Sequence, residues 1–138
     1  SILNNIKGAS GSGYSILSKF NQASISSQKG DKNTAATLYL ALSEDVDIEK
    51  TYRDIATILF ALNSSKSDRI DISLNKLNLL INSNSPWRYT AKELSAMLLY
   101  EKGKMSDALT LYQEITADKT APNGIRERAS EMTSIIGN

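Results

Sequence analysis

The side chains able to do covalent chemistry in this chain are few. Histidine and cysteine are absent. That removes His-based proton relays, thiol nucleophiles, disulfides and zinc sites of the usual Cys/His kind. Carboxylates, lysine, tyrosine and serine remain. The tightest group of acids is Glu44, Asp45, Asp47 and Glu49, and paired carboxylates do acid–base work only where a cleft drives one pKa away from the other. An acidic run between two helices is normally a solvated corner that also favours a helix N-terminus. Gly8 and Gly13 have the spacing of a phosphate loop, but Tyr14 stands where that loop needs lysine, and no strand precedes it. The loop reads as a plain linker. No catalytic residue, cofactor or metal ligand is expected, and the chain is read as a non-enzyme.

The remaining chemistry is non-covalent recognition. Nine residues form the candidate partner-binding groove: Phe20, Asn21 and Ser24, then Arg53, Thr57 and Phe60, then Glu93, Met97 and Tyr100. Aromatic rings and methionine suit adaptable binding of apolar segments. Taken singly, Phe20, Phe60 and Met97 are as simply read as core, because an apolar residue at helical spacing usually packs. Trp87 after Pro86 reads as a wedge between hairpins, and Arg88 as the partner of a nearby acid or helix end.

These positions depend on the elements that carry them. The stretch from Trp87 to Asp118 holds two helix-forming runs broken by Gly103, with apolar and small residues three and four apart, the period of one helix face. Gly103 can close the first helix in the left-handed conformation, and so short a connection turns the second helix back antiparallel. Small Ala96 and Ala108 let the two backbones approach, and Leu99, Tyr112 and Ile115 fill the gaps. The same pattern stands 73 residues earlier: Ala23, Gly30, Ala35, Tyr39 and Leu42 match Ala96, Gly103, Ala108, Tyr112 and Ile115. Helices are therefore expected over residues 14–29 and 33–43. A middle pair is expected over 48–63, capped by Asp47, and 68–81. Ser85 and Pro86 start the next helix, and Thr120-Ala-Pro122 starts a last one ending at Gly137. On that helix Arg126, Glu127, Arg128 and Glu131 are expected on the solvated side. The fold class is all-α, a helical-hairpin array of three pairs plus a C-terminal capping helix that shields the final apolar face. Residues 1–13 are read as the tail of an upstream helix followed by a Gly/Ser loop, and residues 14–138 as the repeat domain.

The spacing Ala96, Leu99, Gly103, Met105, Ala108, Tyr112, Ile115 resembles a tetratricopeptide repeat, with Ser95 and Met105 departing from the usual Leu and Tyr. The Gly13-Tyr14 entry, Pro86-Trp87-Arg88 and the stretch from Pro122 to Ala129 are together similar to the soluble domain of a bacterial inner-membrane tetratricopeptide family. That family includes the YfgM-type ancillary subunit of the Sec translocon. The resemblance implies a protein-interaction scaffold on the periplasmic face of the inner membrane, anchored upstream and assisting the chaperoning of exported proteins. It implies translocon components, chaperones or exported polypeptides as partners. A structural or self-associating assembly module is the alternative.

Bulk properties bound these readings. The chain has 138 residues, 41% hydrophobic and 22% charged, with 16 basic and 15 acidic side chains and a net charge of +1. That is the composition of an ordinary folded chain. A near-neutral chain has no electrostatic footprint for nucleic acid or an anionic membrane, and it holds no apolar run long enough to span a bilayer.

Overall fold

The computed structural model describes residues 12–64 and 68–137. The expected helix tail at 1–7 and most of the glycine loop lie outside the described residues. Among the described residues seven α-helices follow one another: α1 (Ser12–Gln28), α2 (Lys32–Glu44), α3 (Lys50–Leu62), α4 (Ile70–Ile81), α5 (Arg88–Glu101), α6 (Met105–Ala117) and α7 (Asn123–Gly137). No strand occurs among the described residues. The chain divides after Ser64 into two compact units. In unit 1, α2 packs against both α1 and α3. In unit 2, α4 packs on α5, α5 on α6, and α6 on α7, and α7 also touches α5.

The cores are built as the spacing of small residues requires. Ala23, Ala35, Ala96 and Ala108 are all fully buried, so neighbouring backbones come close where no long side chain holds them apart. Around the first two sit Tyr39, Leu42, Ala56 and Phe60. Around the second two sit Tyr112, Ile115, Ile125 and Ala129. The turns repeat as faithfully. Gly30 and Gly103 have φ of +84° and +83°, the left-handed region that a side chain on Cβ disfavours. Each turn closes with the paired hydrogen bonds of a Schellman motif. The Gly30 and Asp31 N–H groups donate to the Ser27 and Ser26 carbonyls at 3.0 and 2.9 Å, and those of Gly103 and Lys104 to Tyr100 and Leu99 at 3.0 and 2.9 Å.

The match at 73 residues runs further than the hairpins. The Asp47 N–H donates to the Asp45 carboxylate at 3.0 Å, as the Thr120 N–H does to Asp118 at 2.9 Å. Ile48 and Ala121 are both buried just beyond. Helix α3 then corresponds to α7, with Ala56 and Ala129 each fully buried.

Several expected boundaries shift for local reasons. Asp47 does not cap α3, because its N–H is engaged by the Asp45 turn and the helix opens only at Lys50 after Glu49. Asp31 is the residue that caps by side chain, accepting from the Thr34 N–H at 3.1 Å and the Thr34 hydroxyl at 2.7 Å. Those two bonds hold its carboxyl below the usual range. Ser85 caps a turn ahead of α5 rather than α5 itself: its hydroxyl accepts from the Trp87 N–H at 3.1 Å, and its carbonyl from the Arg88 N–H at 3.1 Å. Arg88 makes no direct ion pair among the described residues, although its charge reaches Asp118. Its guanidinium donates to that same Ser85 carbonyl at 2.9 Å and lies 4.6 Å from the Tyr89 ring centroid. Trp87 is half-buried.

Candidate functional site

The nine groove positions separate once packing is seen. Phe60 is fully buried among Ala35, Tyr39 and Ala56, so it belongs to the core of unit 1 and offers nothing to a partner. Thr57 is buried too, its hydroxyl donating back to the Arg53 carbonyl at 3.1 Å. Arg53 is half-buried, with its Nε out of reach of water and any acceptor. The physical reason is common to all three: α3 is closed over on most sides, with Asp54, Ala56, Thr57, Ile58, Phe60 and Ala61 all buried. Asn21 is exposed and Ser24 half-buried, and neither is in the walls of the two grooves described next.

Phe20 remains at a surface of use. With Ile16 and Leu17 from α1 and Tyr52 and Ile55 from α3, it walls an apolar groove of about 430 Å³. Its ring meets Tyr39 with centroids 6.1 Å apart, tilted by 49°, within the separation at which aromatic pairs attract.

Glu93, Met97 and Tyr100 stay together. They stand on one face of α5, one turn apart, and line a groove of about 370 Å³ with Glu101, Tyr112 of α6, and Arg128, Glu131 and Met132 of α7. Small Ala96 and Ala129 beneath bring these helices close enough for the opposing walls to meet. Across the groove Arg128 forks onto Glu93, Nε to Oε2 at 2.7 Å and Nη2 to Oε1 at 3.0 Å. The carboxylate raises the guanidinium's pKa further above its already high value and fixes the geometry of both side chains. Met97 and Tyr100 are 42% and 36% exposed, so a thioether and a ring face stand open to a partner. At the floor, Tyr112 is nearly inaccessible. Burial, helped by the charges of Glu93, Tyr100 and Glu101, pushes its hydroxyl up to about 12.

Arg128 and Glu131, expected on the solvated side of the last helix, are exposed, and they also line this groove. The offset of 73 could have found Arg128, since it is the counterpart of Ile55, and Glu93 is the counterpart of Phe20. An apolar wall pair in unit 1 is an ion pair in unit 2.

The groove holds three glutamates. Glu93 is bound by Arg128, while Glu101 and Glu131 are exposed and so well solvated. Glu93 alone is largely desolvated, its side chain 13% exposed, and its charge is met by Arg128. The Glu44–Glu49 corner has the same fate: Glu44, Asp47 and Glu49 are exposed, and the Asp45 carboxylate accepts from the backbone of its own turn. Among the described residues no acid cluster is arranged to hold a metal ion, and no helix is long and apolar enough to cross a membrane. No family model matches the chain, and neither a curated protein nor a solved structure matches it.

Proposed function

We propose that the chain is a non-catalytic protein-interaction scaffold of the tetratricopeptide type, and that the groove of unit 2 is its receptor surface. The observation that carries this reading is a recess of about 370 Å³ with Met97 and Tyr100 open to solvent, over a floor of Tyr112 and with the Arg128–Glu93 fork in its walls. Rigid walls reduce the ordering cost of binding, and accessible Met and Tyr supply apolar area at modest entropic cost. The repeated Ala–Gly–Ala–Tyr frame supports the repeat assignment. The narrower reading, a periplasmic domain anchored to the inner membrane and assisting exported proteins, rests on the sequence resemblance.

Photo-crosslinking tests both levels. A photoreactive residue at Met97 or Tyr100 is expected to capture discrete partners, and one at Val46, 80% exposed and outside the groove, is expected not to. Translocon components or exported chains among those partners support the narrow reading, and cytosolic proteins alone defeat it. Products identical at all three positions defeat the receptor reading. Capture of a second copy of this chain, and nothing else, replaces it with the self-assembling module.

A further inference from the structure

The receptor reading leaves the partner's chemistry open, and the charges around the groove narrow it. The walls carry three carboxylates and one guanidinium, a net charge of −2 on a chain whose total is +1. The guanidinium is already committed to Glu93 in a two-pronged ion pair. Glu101 and Glu131 therefore stand at the rim as exposed anions, with no cation within ion-pairing distance among the described residues. The same groove is lined by the thioethers of Met97 and Met132 and the ring of Tyr100. Among the described residues the groove of unit 1 has no charged residue in its walls, so the acidity belongs to unit 2 and not to the repeated frame.

From this charge pattern we infer that the unit 2 groove takes a polypeptide segment bearing an apolar side chain flanked by lysine or arginine. The inference rests on the receptor reading above. The apolar side chain seats between the two methionines, and the flanking cations meet Glu101 and Glu131. A recess of about 370 Å³ is at the small end of ligand sites, which run from about 300 to about 1,000 Å³. It is sized for one or two side chains rather than a domain face. Phosphate-bearing partners, whether nucleic acid or an anionic lipid surface, meet like charge at the rim and are disfavoured.

Fluorescence anisotropy on the intact chain tests the inference with two labelled, acetylated peptides, Ser-Lys-Met-Leu-Lys-Ser and its counterpart with glutamate for lysine. The lysine peptide is expected to bind and the glutamate peptide to bind at least about tenfold more weakly. The double variant Glu101→Lys with Glu131→Lys is expected to reverse that order. Raising sodium chloride from about 50 to about 500 mM is expected to weaken the lysine peptide alone. Both substituted residues are exposed, and an unchanged unfolding temperature confirms that the variant folds. Equal affinity for the two peptides, or a lysine peptide indifferent to the charge reversal, overturns the inference. So does spermidine displacing the lysine peptide as readily as unlabelled peptide does, since that leaves a bare cation site. The two readings fail separately: charge-blind peptide binding lost in Met97→Asp keeps the groove as a receptor and removes only its selectivity.

Discussion

Unit 1 and unit 2 place walls of opposite character on one frame. In unit 1 the groove is bounded by Ile16, Leu17, Phe20, Tyr52 and Ile55. In unit 2 the positions 73 residues after Phe20 and Ile55 are Glu93 and Arg128, joined by two hydrogen bonds. Beneath both, the alanines at the helix crossings are fully buried and the turn glycines share one conformation. The difference teaches which positions the fold constrains. A residue at a crossing point is confined by two backbones, and any larger side chain pushes them apart. A wall residue has solvent on one side, so an aromatic–aliphatic pair and a forked ion pair serve equally as spacers. The frame is shared, and the surface chemistry is free to diverge.

Perturbations of decreasing size can break that comparison. The largest effect is expected where the units are not equivalent: Phe60 is fully buried while its counterpart Thr133 is half-buried. Phe60→Ala is expected to cost about 3–5 kcal/mol through lost burial and a cavity, and Thr133→Ala less than about 0.5 kcal/mol, both by chemical denaturation. Comparable losses would show that the core of unit 1 is misassigned. Ala23→Leu and Ala96→Leu should each cost about 1–3 kcal/mol by overpacking, and by similar amounts if the crossings are alike. An unchanged melting temperature in either would mean that its alanine is not at a crossing.

Gly30→Ala and Gly103→Ala are expected to cost about 1–2 kcal/mol each. A Cβ meets nothing within 4 Å at either position, so the penalty is torsional, and asparagine should recover part of it. Smaller still is the transplant of one wall onto the other, Glu93→Phe with Arg128→Ile. Arg128 is 59% exposed and Glu93 only 13%, but apolar groups replace both partners, so losing the pair should change stability by under about 1 kcal/mol. A large loss would make the ion pair part of the frame rather than of the wall.

The finest comparison is between the two equivalent tyrosines. Burial alone raises Tyr39, whereas burial and nearby carboxylates raise Tyr112 to about 12. Each therefore adds stability that is fully present below the ordinary tyrosine value of 10 and is lost as pH climbs through its folded value. Ultraviolet absorbance of the phenolate is expected to show Tyr112 ionising last, and Glu93→Gln with Glu101→Gln to bring it back toward Tyr39. Coincident titration in the parent chain would remove the negative field from the unit 2 groove.

Reading the chain alone was enough for the helices and for both tight turns, because these are set by short-range rules. Apolar spacing of three and four, alanine at crossings and glycine at a left-handed cap each act within a few residues, and the offset of 73 made them visible twice. The walls were legible only in part. Glu93, Met97 and Tyr100 share one helix face, so their proximity follows from helical geometry. Arg128 and Glu131 lie on another helix, and helical spacing on α7 could not say which neighbour they would face. Phe60 and Thr57 show the converse. Their spacing marks a face of α3, but whether that face is open or covered depends on what packs over it. Period and turn chemistry belong to the amino-acid sequence. Exposure, ion pairing across the groove and the raised Tyr112 hydroxyl belong to the tertiary structure, because each depends on the distance between residues that the chain order holds far apart.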